Sequence, residues 1–120
     1  MTFDLEDRTT KFGEEVIELL GEIRETAITR PLISQVIRAA TSIGANYAEA
    51  DDAPTKKDFR YRISICRKEA RETKYWFRML AKAAPDSAEA ARPLWKEAHE
   101  LNLIFSKIWR SSAPTSESKI

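Results

Sequence analysis

The sequence predicts an all-α fold, an antiparallel up-down-up-down four-helix bundle. Ala, Glu, Lys, Arg and Leu are abundant among the 120 residues, and only three glycines interrupt them, a composition that favours helices. Apolar residues recur with helical spacing in four segments, and four amphipathic helices joined by short connections are typical of such a bundle. We expect one domain over residues 1–110, large enough for a single core, and a disordered polar tail over residues 111–120, SSAPTSESKI.

The first helix is expected to run from about Leu5 to Arg24, with Asp4 as its N-cap. Its apolar stripe comprises Leu5, Phe12, Val16, Leu19, Leu20 and Ile23. Glutamates occupy the other side, at positions 14, 15, 18, 22 and 25. The second helix is expected to begin at Pro31, because proline fits the first helical position. It is expected to end at Asp51–Pro54, because the residue before a proline disfavours helical geometry.

Helices three and four are expected on either side of Pro85–Ser87. Thr55 and Asp58 resemble a capping box with aspartate in place of the usual glutamate, so the third helix is expected to start there and run to about Ala83. The apolar stripe of the fourth helix comprises Leu94, Ala98, Leu101, Phe105 and Ile108. Pro93 either opens this helix after a short helical turn or kinks it, and the sequence leaves both alternatives open.

Helix two carries little charge: Pro31–Ala50 contains only Arg38 and Glu49 as formal charges. We expect it to be enclosed by its own bundle and by another copy of the chain. One of its faces holds small side chains: Ser34, Thr41, Ala45 and Ala48. Its polar stripe and two carboxylates of helix three form a predicted polar network: Gln35, Arg38, Ser42, Asn46, Glu49, Glu69 and Glu72. We expect Arg38 to pair with Glu69 or Glu72. The network is either a ligand or active site or, the interpretation we favour, a structural device that fixes helix register or a subunit interface.

Several of these segments carry a family resemblance. They are QVIRAATSIGANYAEA at 35–50, Asp58-Phe59, KEARETKYW at 68–76 and RTTKF at 8–12. Together they closely resemble the bacterial 23S ribosomal RNA intervening-sequence protein family. Thr55 stands where a serine is common in that family, which keeps the capping hydroxyl.

The resemblance implies an antiparallel four-helix bundle that assembles as a ring, with a homopentamer as the expected form. It also implies a relation to the accessory proteins of diversity-generating retroelements, which act with reverse transcriptase and nucleic acid. It does not supply a settled biochemical activity.

Charge is strongly segregated along the chain. Residues 1–25 hold eight acids and three bases, whereas residues 55–84 hold ten bases and three acids. Six cations of helix three are expected on one solvent-facing arc: Arg60, Arg67, Arg71, Lys74, Arg78 and Lys82. We call this set the predicted ridge. It favours a non-catalytic oligomeric scaffold that binds RNA or DNA through phosphate contacts. The alternative is a protein-interaction ring that docks a protein partner without direct nucleic-acid binding, through the acidic side of helix one or through the tail.

The sequence argues against enzyme chemistry, cofactors and metals. His99 is the only histidine and has no glutamate three residues before it, as a ferritin-like metal site requires. We find no zinc spacing, phosphate-binding glycine loop or nucleophile elbow. Cys66, the only cysteine, allows no intrachain disulfide and fits a reducing cytoplasm. The chain has no run that could span a membrane and no secretory signal at its start, so we expect a cytoplasmic protein.

Overall fold

The structure is a computed structural model that describes residues 4–114, and all of its regular secondary structure is helical. Four α-helices follow one another: α1 Leu5–Gly21, α2 Thr29–Asp51, α3 Lys56–Ala83 and α4 Ala88–Ser111. A single 3-10 turn, Pro85–Ser87, joins α3 to α4, and no strand occurs within the described range. The predicted all-α class with four helices is therefore confirmed. Residues 115–120 of the expected tail lie outside the described residues.

The end of α1 differs from the expectation, because the helix stops at Gly21 rather than at Arg24. The N–H groups of Glu22 and Ile23 bond to carbonyls only three residues back, at 3.1 and 3.2 Å, and this tightening ends the α-helix. Ile23 is still buried, so the whole predicted apolar stripe reaches the core. Asp4 is the N-cap as expected, and it accepts the backbone N–H three residues further on at 3.2 Å.

Two threonines determine where α2 begins. Thr26 Oγ1 accepts the backbone N–H groups of Ile28 and Thr29 at 3.2 and 3.0 Å, and Thr29 Oγ1 donates to the Arg24 carbonyl at 2.8 Å. Because these bonds satisfy backbone groups at the helix start, α2 begins at Thr29. The expected start at Pro31 is therefore wrong by two residues. Pro31 lies within the first turn, where its missing N–H would have no helical partner.

A threonine cap starts α3, as the sequence predicts. Thr55 Oγ1 accepts the Asp58 N–H at 3.1 Å and donates to Asp58 Oδ2 at 2.8 Å. The aspartate thus bonds the hydroxyl, whereas the longer side chain of a standard capping box reaches the backbone N–H of the cap residue. The ends of α2 at Asp51 and of α3 at Ala83 agree with the expectation.

Pro93 lies inside α4, which begins five residues earlier at Ala88. The alternative in which Pro93 opens the helix is therefore wrong. Because proline has no N–H, the Glu89 carbonyl lacks its usual helical partner. Glu89 and Pro93 are both exposed, so water can bond that carbonyl.

The core lies between the four helices, and α3 packs along both α2 and α4. The largest fully buried apolar side chains are Phe12, Val16, Val36, Ile43, Ile63, Phe77, Leu101 and Phe105. Full burial of each such side chain contributes about 1.5–3 kcal/mol. Contacts between α1 and α4 are fewer; there the Arg8 guanidinium donates two bonds to the Glu97 carboxylate, at 2.6 and 2.8 Å. Because α2 packs on one flank of α3 and α4 packs on the other, the remaining side of α3 is open to solvent.

Candidate nucleic-acid interface

Arg38 joins α2 to α3 through two glutamates. Its Nη1 donates to Glu69 Oε2 and Oε1 at 3.1 and 3.3 Å, and its Nη2 donates to Glu72 Oε1 at 3.0 Å. Its Nε donates to Gln35 Oε1 at 3.2 Å. Glu69 is only 7% exposed, and its carboxylate also accepts the Ser42 hydroxyl at 3.1 Å. Both of the ion pairs considered for Arg38 are present in the structure.

The hydrogen bonds continue along α2 to an arginine of α3 that lies outside the predicted polar network. Asn46 Nδ2 donates to the carbonyl and to Oγ of Ser42, both at 2.9 Å, and Asn46 Oδ1 accepts from Arg62 Nη1 at 3.1 Å. Arg62 Nη2 lies 3.9 Å from Glu49 Oε1. The signal that was missed is spacing, because Arg62 precedes Glu69 by seven residues and so lies on the same face of α3.

The seven residues of the polar network, together with Arg62, thus form one chain of contacts between α2 and α3. Each carboxylate in it faces a guanidinium, and Glu69, the most buried, receives three hydrogen bonds. These hydrogen bonds between α2 and α3 form together only when the two helices are aligned as in the structure. The network is therefore suited to fixing the register of α2 against α3. The structural role of the network stays a prediction.

Three cations of the predicted ridge pack against α4 instead of facing solvent. The guanidinium carbons of Arg60 and Arg67 lie 4.0 and 4.2 Å from the Trp109 ring centroid, and Arg60 Nε donates to the Trp109 carbonyl at 3.3 Å. Lys74 Nζ lies 3.1 Å from His99 Nδ1. These side chains are half-buried, because α4 covers that flank of α3 and its aromatic rings attract the cations. The expectation that all six project into solvent is therefore wrong for Arg60, Arg67 and Lys74.

Five of the six exposed cations of α3 form a different set, which we call the cationic face; the sixth, Lys56, lies outside their arc. The cationic face consists of Lys57, Lys68, Arg71, Arg78 and Lys82. These five lie within an arc of about 80° around the helix. None of them forms an ion pair with any residue in the described range 4–114. The predicted ridge does not include Lys57 and Lys68, because the direction of α4 relative to α3 is not visible in the helical spacing.

Two exposed tyrosines accompany the cationic face. Tyr61 is 61% exposed and Tyr75 is 52% exposed. The Tyr75 ring lies edge-on against Trp76, with ring centroids 5.0 Å apart, and Arg62 Cζ lies 5.7 Å from the Tyr61 ring centroid. Cations alternating with exposed aromatic rings are typical of surfaces that track a nucleic-acid strand.

The acidic side of α1 does not neutralise this face within one chain. Glu14, Glu15 and Glu18 of α1 and Glu22 just after it are exposed, and among the described residues no ion pair joins any of them to α3. The cations of the face are therefore available to a negatively charged partner.

The described residues offer little for catalysis. Cys66 is fully buried, and burial raises the pKa of its thiol to about 12, so it stays protonated and inert at neutral pH. His99 stacks on Trp95, with ring centroids 5.5 Å apart and an interplanar angle of 10°. Within residues 4–114 no cluster of histidine, cysteine, aspartate or glutamate is placed to hold a metal ion. Among the helices of the described residues, none combines the length and the apolar character of a membrane span.

Fold and surface together define the class of protein: a four-helix bundle with the polar network between α2 and α3 and the cationic face on α3. The family model described as 23S rRNA-intervening sequence protein matches residues 2–107. The chain belongs to this family, and the resemblance seen in the sequence is confirmed.

A solved structure supports the same fold. The chain is similar to the crystal structure of a protein with unknown function from the S23 ribosomal protein family of Bacteroides thetaiotaomicron VPI-5482. The two share 27% sequence identity with a TM-score of 0.73, and the match covers 88% of this chain and 98% of the other. The search of curated proteins gave no match.

Proposed function

We propose that this protein is a non-catalytic helical scaffold that binds RNA or DNA through phosphate contacts from the cationic face. The observation that carries the proposal is a row of five exposed lysines and arginines on one side of α3 with no acidic partner in the described chain. From Lys57 to Lys82 the row spans about 38 Å of helix. Cations spread over that length can contact several successive phosphates without reading bases.

The family description fits an RNA setting. It names its members for the intervening sequence of 23S rRNA, and the similar solved structure is assigned to a ribosomal protein family. Both descriptions concern those proteins, and they support nucleic acid as the class of partner for this chain.

The proposed active form is a ring of up-down-up-down bundles, with five copies as the resemblance implies. The small-residue face of α2 is exposed in the single chain: Ser34, Thr41, Ala45 and Ala48. Two larger apolar side chains, Ile17 and Ile37, are 49% and 37% exposed on the adjoining surfaces of α1 and α2. A second copy would cover these groups, and a ring would repeat the cationic face around its circumference.

A salt titration tests the nucleic-acid proposal. Five neutralised phosphates predict a slope of log K against log salt of about −4.5 per engaged subunit, which is about a 500-fold loss of affinity between 50 and 200 mM salt. Replacing Arg71 and Arg78 by glutamine removes two contacts and reduces the expected slope to about −2.7, a loss of about 40-fold over the same range. Fluorescence anisotropy of nuclease-treated protein with labelled RNA and DNA measures both slopes.

The matched control replaces Arg24 and Arg30 by glutamine. Both are exposed arginines outside α3, so the net charge changes equally while the cationic face is intact, and the wild-type slope is expected. The proposal fails if the wild type shows no salt-dependent binding at 50 mM salt, or if the Arg71 and Arg78 variant keeps the wild-type slope. Absence of binding would favour the protein-docking alternative.

A further inference from the structure

An open cleft of about 1180 Å³ lies where α3 begins and α4 ends. Its walls are aromatic, formed by Phe59, Tyr61 and Trp109, and its rim carries the cations Lys56, Lys57 and Arg60. Most of the exposed lining is apolar. An apolar aromatic cleft with a cationic rim is complementary to a flat, apolar group that is attached to a negative charge.

The planar groups that line this cleft are held in place. The Arg60 guanidinium lies against the Trp109 ring at 4.0 Å and bonds the Trp109 carbonyl at 3.3 Å. Phe59 packs against the core, while Tyr61 keeps most of its ring exposed. Arg67 also lies against the Trp109 ring, at 4.2 Å, so Tyr61 is the exposed ring of the cleft on which a nucleobase can stack.

The cleft is continuous with the cationic face. Lys57 belongs to both surfaces, and Tyr61 is one helical turn beyond it. A strand whose phosphates follow the cationic face would therefore reach the cleft at the start of α3.

We propose that this cleft binds an unpaired nucleobase, which makes single-stranded RNA or DNA the ligand class of the protein. The inference rests on the proposed phosphate contacts of the cationic face, since the strand is held there. Bases within a duplex have both faces covered by their neighbours, so only an unstacked base can enter. The base stacks on Tyr61, and Lys56 and Lys57 contact the flanking phosphates.

The test compares Tyr61→Ala with Tyr75→Ala. Both tyrosines are exposed on α3, about 21 Å apart along the helix, but only Tyr61 lines the cleft. The probes are a 12-nucleotide single strand carrying 2-aminopurine, as RNA and as DNA, and the corresponding blunt duplexes. We expect Tyr61→Ala to weaken single-strand binding about tenfold and to leave duplex binding within twofold of the wild type. In the wild type the stacked base is expected to have its 2-aminopurine fluorescence quenched, and Tyr61→Ala is expected to abolish this quenching. Because Tyr75 lies outside the cleft, Tyr75→Ala is expected to keep the quenching of 2-aminopurine and to change single-strand and duplex binding by the same factor. Circular dichroism verifies that both variants keep their helices.

The outcomes separate this inference from the proposed function. If Tyr61→Ala binds the single strand as tightly as the wild type, or loses single-strand and duplex binding equally, the cleft does not take a base, although the cationic face still binds phosphates. If the wild type binds neither probe, the proposed function fails and this inference fails with it.

A variant that ends at Pro114 tests whether the chain's own last six residues occupy the cleft, because residues 113 and 114 border it. The inference expects wild-type affinity and quenching from this variant. Tyr61-dependent binding that appears only after the truncation would overturn it.

Discussion

Replacing Glu69 by glutamine is expected to destabilise the protein far more than replacing Glu72 by glutamine. Both carboxylates bond the same arginine, Arg38, from the same helix, so the two variants form a matched pair. They differ in surroundings: the Glu69 side chain is 9% exposed and the Glu72 side chain is 38% exposed. Glu69 also accepts the Ser42 hydroxyl.

The magnitude follows from the contacts that change. The Glu69 carboxylate accepts three hydrogen bonds from two donors of α2, Arg38 Nη1 and Ser42 Oγ, and a glutamine presents an N–H₂ group where one carboxylate oxygen stood. Losing charge-assisted hydrogen bonds at a buried site costs about 1.5–3 kcal/mol. The exposed Glu72 pair is worth about 0.2–1 kcal/mol, because water and salt screen it. For a domain of this size 1 kcal/mol corresponds to about 4 °C in Tm, so we expect a fall of about 6–12 °C for Glu69→Gln and at most about 4 °C for Glu72→Gln.

The assay is urea unfolding followed by circular dichroism at 222 nm, with thermal scans at the same protein concentration, because assembly links stability to concentration. Equal and small losses of unfolding free energy in the two variants would refute the reasoning, since Glu69 and the polar network around it would then contribute no more than a surface ion pair. If Glu69→Gln alone loses helicity in native buffer, the stability of the fold depends on the polar network more than these hydrogen bonds explain.

Two further results are expected. Burial raises the pKa of the Cys66 thiol from 9.0 to about 12. As pH rises, the thiol therefore ionises in the unfolded state before it ionises in the folded state. The stability of the folded state that is present below pH 9 is consequently lost between about pH 9 and 12. At pH 10 the loss is about 1.4 kcal/mol. The free energy of unfolding should therefore fall by about that much more in the wild type than in Cys66→Ala between pH 8 and 10, and equal falls would contradict the burial argument. Ala45→Arg places a charge on the exposed small-residue face of α2 and is expected to lower the assembly mass measured by light scattering. A variant that keeps the wild-type mass would exclude that face as an interface.

Local chemistry made several features of the fold predictable. Asp4 and Thr55 accept backbone N–H groups from residues three positions further on, and such caps involve only neighbours in sequence. The end of α2 at Asp51 depends on the proline that follows. The start of α2 was not predictable, because Thr26 and Thr29 bond to each other and Thr29 bonds to Arg24 in the connection after α1, an arrangement that no single-residue preference describes.

The candidate site was predictable only in part, and the reason is geometric. Helical spacing placed Glu69 and Arg38 on faces that could meet, and they do. Spacing alone could not show on which side of α3 the fourth helix packs. For that reason the predicted ridge includes Arg67, which lies against Trp109, and does not include Lys68.

The amino-acid sequence alone predicts that this chain forms four helices, which of their faces are apolar and where α1 and α3 are capped, because each of these depends on residues within one or two turns of one another. The packing of the helices determines which cations of α3 remain exposed, places Arg62 in the polar network and opens a cleft beside Tyr61. These features arise between helices that are distant in sequence, where the direction of packing determines which long side chain meets a ring, a carboxylate or water.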